Sequence, residues 1–191
     1  MSRNRISSEM AVYLDTYRNI LDEMISGMES AELTDSISHN FIVQMIPHHR
    51  AAIEMSRSLL QYAPCAPLEK IAQGIIKEQT RSIVAMEAIL PACGSMVNTP
   101  DAVERYQQRT GCILQTMFSA MRSACESNNV NANFMWEMIP HHCGAVRMSK
   151  NALDFAVCPG LDEILDNIIT SQERGIHQML HLLRCMGCCQ P

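Results

Sequence analysis

The sequence predicts an all-α bundle of about six helices, built by tandem duplication of a three-helix unit. No segment alternates convincingly between apolar and polar residues with a period of two. Several segments instead carry apolar residues every three or four positions, as one buried helix face requires. The chain of 191 residues also matches itself: 21 of the 50 positions from Phe41 to Leu90 carry the same residue 93 positions later, with no gap. The match continues upstream through Tyr13/Tyr106, Leu21/Leu114, Met24/Met117 and Met28/Met121. A repeat of this kind means that each element is predicted twice. The copies span 1–95 and 96–191, as two small domains or one fused bundle. Three amphipathic helices bury little alone, so the copies are expected to pack with pseudo-two-fold symmetry.

The first helix is expected from about Ser8 to Glu29, where Val12, Ile20, Met24 and Met28 fall near helical spacing and Ser7 or Ser8 caps the start. The second begins near Ser36–Ser38 and runs to about Ala63, with Pro64 and Pro67 marking the break. The third spans about Leu68 to Leu90. Its stripe of Leu68, Ile71, Ile75, Gln79, Ile83, Met86 and Leu90 steps by three or four, and Pro91-Ala92-Cys93-Gly94 closes it. The second copy repeats the scheme near 101–126, 131–157 and 161–186. No segment is a Gly-rich phosphate loop.

Composition narrows the function. Charged residues make up 18% and the formal net charge is −5, with no Lys/Arg run, which argues against nucleic-acid binding. No apolar run reaches the length of a membrane span. The start, Met1-Ser2-Arg3-Asn4-Arg5, lacks an apolar signal-peptide core. Taken literally this predicts a cytoplasmic chain with reduced thiols, whereas a trimmed signal would leave a periplasmic or secreted one looking the same. A homo-oligomer is compatible with the sequence. There are 15 Met against nine aromatic Phe, Tyr and Trp residues. Methionine fills irregular helical cores, and its thioether is also a soft ligand that selects Cu(I).

One stretch speaks of chemistry. Met45-Ile46-Pro47-His48-His49 returns as Met138-Ile139-Pro140-His141-His142. Pro47 either interrupts a helix, freeing the Val43 carbonyl, or opens one. On a helix Met45, His48, Ala52 and Met55 share a face, while the His49 ring is rotated by about 100° from that of His48. If the second and third helices are antiparallel neighbours, Met86 approaches the level of His48. Each copy then offers two imidazoles and up to three thioethers: Met45, His48, His49, Met55 and Met86, and Met138, His141, His142, Met148 and Met179. Imidazole with thioether suits Cu(I); imidazole alone also suits Cu(II), Zn or Ni. Gln79 and Gln172 are candidates to orient the rings through their second nitrogens. The bland alternative is satisfied core histidines packed in methionine.

The pattern Phe-x3-Met-Ile-x-His-His-x2-Ala-x2-Met, then Gln-x3-Ile-x2-Met, resembles the bacterial domain-of-unknown-function family numbered three hundred and five. It falls on Phe41, Met45, Ile46, His48, His49, Ala52, Met55, Gln79, Ile83 and Met86, and again 93 residues on. The resemblance implies a ferritin-like helical bundle and a link to copper, with the ten Met and His residues named above as ligands. The chain departs from the family at Ser82 and Gly175, where a Glu is usual, and at Ile89 and Leu182, where a Trp is common. Loss of the carboxylate removes a hard-metal ligand and leaves the soft donors in place.

Other clusters say less. His177 and His181 are four apart, which suits either a helix-face chelate or a solvated face. Cys143 follows His142, but the turn of the helix points it elsewhere. Cys185-x2-Cys188-Cys189 with Cys93 could form a thiol site or disulfide, and Cys65 and Cys158 are expected as plain thiols in matching turns. The functional expectation is a non-enzymatic copper-binding or copper-handling protein. The alternatives are a ferritin-like di-metal or redox enzyme, disfavoured because no Glu-x-x-His is present, and an interaction bundle with no metal.

Overall fold

A computed structural model describes residues 6–187. Six α-helices follow one another: α1 (Ser8–Glu29), α2 (Ile37–Leu60), α3 (Ala66–Cys93), α4 (Pro100–Arg122), α5 (Val130–Leu153) and α6 (Leu161–Cys185). No strand occurs among the described residues. The bundle is all-α, as the periodicity predicts.

Local chemistry sets the helix starts. The Ser7 hydroxyl accepts from Met10 N, Ser36 from His39 N and Thr99 from Ala102 N, and the Asn129 side-chain Oδ1 accepts from Asn131 N and Ala132 N. Each satisfies a donor that the first turn leaves open. Pro67 and Pro100 sit in first turns, where a missing N–H costs nothing. Several ends differ from expectation. α2 stops at Leu60 and α5 at Leu153, short of the predicted 63 and 157, and α4 stops at Arg122 rather than 126. After α2 the chain turns through Ala63 at φ 46°, a left-handed conformation that cannot continue a helix. α3 runs on to Cys93, past the expected Leu90, with Pro91 inside its last turn.

Within the first half α2 packs between α1 and α3; within the second, α5 packs between α4 and α6. The halves meet through α2 against α5 and α3 against α6. The two central helices therefore carry the motifs into the middle of the molecule. Equivalent hydrogen bonds mark the symmetry. Asn131 Oδ1 accepts from Cys65 N at 2.9 Å, and the matching Ser38 hydroxyl accepts from Cys158 N at 2.8 Å. Each α2–α3 or α5–α6 turn thus docks on the central helix of the other half. Asn98 adds a bridge, accepting from Ile37 N at 2.9 Å and donating to the Ala156 carbonyl at 2.8 Å.

Candidate metal centre

Both Met-Ile-Pro-His-His stretches lie inside continuous helices, so Pro47 and Pro140 are interior prolines and not helix starts. The Pro47 ring is accommodated by Gly27 of α1, where a Cβ would lie 3.0 Å from Pro47 Cβ. Just past each proline, α2 and α5 bring their first histidines face to face. The rings of His48 and His141 stack with centroids 3.6 Å apart and 28° between planes. The His141 Nε2 also lies 3.0 Å from the His48 carbonyl oxygen. His49 flanks one end at 6.0 Å from His48, and His142 the other at 5.9 Å from His141. The result is one row of four imidazoles, in the order His49, His48, His141, His142, across the middle of the bundle.

All four are buried, and burial dominates their acid–base chemistry. Desolvation, then the neighbouring imidazoles, holds His48 and His142 far below the ordinary histidine value. The same causes bring His49 down to about 3, and desolvation brings His141 down to about 4. The rings are therefore neutral at pH 7, the form that binds a metal. Close stacking of His48 on His141 depends on this neutrality.

The row is short of partners. His48 Nδ1 and Nε2, His49 Nδ1, His141 Nδ1 and His142 Nδ1 are buried without a hydrogen bond, as are the side-chain Oε1 and Nε2 of Gln79 and the side-chain Oε1 of Gln172. Buried polar atoms are rarely left so, and a cluster of them invites a ligand or water. Gln79 and Gln172 lie beside the outer histidines, lining the same openings as His49 and His142. The bundle core is thioether-rich. Met45, Met55, Met86, Met138, Met148 and Met179 are all buried, and Met45 and Met138 stand three residues before His48 and His141 on the same helix face. Among the described residues no three His, Cys, Asp or Glu side chains converge on one point. Imidazole nitrogen together with methionine sulfur is the donor set that suits a soft monovalent ion. The residues fit such an ion.

The profile of a family described as a domain of unknown function, DUF305, matches residues 22–183. The chain belongs to the DUF305 family. Among solved structures, CopM in the Cu(I)-bound form is 30% identical, with 81% of this chain and 99% of that one covered and a TM-score of 0.58. CopM in the Ag-bound form is 29% identical, covering 79% and 97%, with a TM-score of 0.59. A DUF305 fragment from Deinococcus radiodurans, 23% identical over 78% of this chain and 95% of that one, has a TM-score of 0.56 and shares the fold. A comparison with curated proteins finds no match.

The remaining predicted features of this DUF305 chain fall elsewhere. Cys158 is not a plain thiol: it is disulfide-bonded to Cys93, with Cα atoms 5.3 Å apart. The bond joins the end of α3 to the α5–α6 turn, and so joins the two halves. Its symmetry mate cannot form, because Met186 occupies the position equivalent to Cys93. Cys93 is therefore no partner for Cys185, and Cys188 and Cys189 lie outside the described residues. Cys185 instead has its sulfur 3.6 Å from His181 Nε2 on the surface of α6. Cys143 faces an apolar hollow with Cys125 and Trp136, away from His142, as the helical turn predicts.

Two features escaped the sequence reading. Tyr13 donates a 2.6 Å hydrogen bond to Glu137, whose carboxyl is buried and pushed up to about 8 by desolvation. And the Ser82 hydroxyl lies 3.1 Å from His49 Nε2, whereas its counterpart Gly175 leaves His142 without that contact. The repeat alignment pairs Ser82 with Gly175 and Glu137 with Gln44, so both asymmetries were visible as substitutions, though not as contacts.

Proposed function

We propose that this protein binds Cu(I) in the His/Met interior between α2 and α5, to hold or hand on the ion and not to transform a substrate. The observation that carries the reading is the row of four buried neutral imidazoles with unpartnered ring nitrogens, amid buried methionines. A core built only for stability would satisfy those nitrogens or replace them with apolar groups, since each orphaned polar atom costs about 1–3 kcal/mol. The Cu(I)-bound and Ag-bound CopM structures, at 29–30% identity, support a soft monovalent ion. His48, His49, His141 and His142 would supply nitrogen, and Met45, Met55, Met86, Met138, Met148 and Met179 sulfur, with Gln79 and Gln172 orienting the outer rings. The bound ion would serve as cargo, and no hydrolytic or redox step is needed to account for these residues.

An anaerobic Cu(I) titration against a competing chelator tests this. Tight binding is expected in the native protein and in a control with Ser at Cys65, Cys112 and Cys143. Its loss is expected when His48, His49, His141 and His142 become Ala. Because emptying the core risks unfolding, a volume-conserving Met45→Leu/Met138→Leu variant is measured too, and should weaken binding with helical content retained. Binding that survives both changes would move the chemistry to the cysteines. No binding by the native protein would leave a helical bundle whose histidines are core.

A further inference from the structure

Two grooves open along the seam between α3 and α6. One, of about 390 Å³, is lined by His49, Gln79, Ser82 and Gln172. The other, of about 420 Å³, is lined by Gln79, His142, Gly175, Gln178 and His181. The exposed pair Arg174–Glu78, at 2.8 Å, borders both. Each groove thus reaches one end of the histidine row, and the ends differ.

On the first side Nε2 of His49 is engaged by Ser82. A ligand arriving there must displace that hydrogen bond. On the second side the Cδ2–Nε2 edge of His142 lies against the bare Cα of Gly175: a Cβ at that position would stand 2.9 Å from Cδ2 and 3.0 Å from Nε2. Any side chain at 175 would press on that edge of the ring. His181 lines the mouth of this groove, with the Cys185 sulfur 3.6 Å from its Nε2. An imidazole and a thiol at this spacing are two soft donors within reach of one ion.

Resting on the copper reading above, we propose that the ion enters on the second side: His181 and Cys185 take it first and pass it over Gly175 to His142. The second histidine pair then fills before the first. The step is ligand exchange. The ion stays monovalent, a nitrogen of His142 replaces the surface donors, and a Cys185 thiol that binds as thiolate releases its proton to solvent and regains it on handing over. Ser82 acts as a latch on the first pair, and one net hydrogen bond is worth a preference of roughly fivefold.

Ag(I), diamagnetic and redox-silent, is the probe. Long-range proton–nitrogen spectra resolve each imidazole nitrogen as half an equivalent of silver is added to the full chain. The His142 signals should shift first and those of His49 later. Gly175→Ser should delay His142 or reverse the order. Ser82→Gly, which removes atoms and adds none, should bring His49 forward by about fivefold, and it carries the test if the Gly175 variant fails to fold. His181→Ala with Cys185→Ser should slow silver uptake from a chelator in stopped flow. Simultaneous filling of His49 and His142 in the native protein, or an order indifferent to residues 82 and 175, overturns the route. An unchanged uptake rate in the His181/Cys185 variant overturns the surface step. Silver that shifts no histidine at all overturns the copper reading itself.

Discussion

The four central histidines and Glu137 give the protein opposed responses to pH. The histidines have folded values below the ordinary 6.5, so between about 6.5 and 4 the unfolded chain takes up protons that the folded chain refuses. Stability should therefore fall as pH drops through that window, by up to about 1.4 kcal/mol per unit for each histidine. Urea midpoints at pH 7, 6 and 5 measure this, and a bound soft ion, which holds the rings unprotonated, should flatten the slope. Glu137 runs the other way. Its folded value of about 8 exceeds the ordinary 4.5, so its contribution is present below 4.5 and is lost as pH rises toward 8. Gln44 holds the equivalent place in the first copy, and a glutamine carbonyl can still accept from Tyr13. Replacing Glu137 by Gln should therefore widen the stability gap over the native protein by about 3 kcal/mol between pH 5 and 7.5. Parallel denaturation curves at the two pH values would refute the assignment.

At the scale of elements, the loops entering α2 and α5 are held by one device used twice. Asn40 accepts from Thr34 N at 2.7 Å and donates to its carbonyl at 2.8 Å; Asn133 does the same for Ser127 at 2.9 and 2.8 Å. Both asparagines are fully buried. Alanine at either position leaves a backbone N–H and a C=O without their partners, and should cost about 2–4 kcal/mol in urea denaturation. The periodic segments and their caps made the helices legible, because both signals are local. Helix ends were less so: α2 and α5 stop three and four residues early, where the chain must turn toward α3 and α6.

Across the whole molecule the halves are joined by the α2–α5 contact, the Asn98 bridge and the Cys93–Cys158 bond. A cross-link closing 65 residues of sequence separation restricts the unfolded chain, and losing it should lower stability by about 2–4 kcal/mol. Mass spectrometry before and after reduction tests the bond, and melting of a Cys93→Ser/Cys158→Ser variant measures its worth. Residues 1–95 expressed alone would expose the His48 face of α2 to water. They should not persist as a folded monomer, which circular dichroism and sedimentation would show.

The sequence by itself determined the six helices and the duplication, because helical periodicity, capping and an internal repeat are written within one turn or one copy. It also determined that the His and Met residues share buried faces. Only the tertiary structure decided what those faces meet. That His48 stacks on His141 to merge two expected clusters into one row depends on how α2 crosses α5, and periodicity carries no information on the partner across an interface. The same holds for the Cys93–Cys158 pair, for the Tyr13–Glu137 contact, and for Ser82 and Gly175, whose difference acquires meaning only when α3 and α6 bring them against His49 and His142.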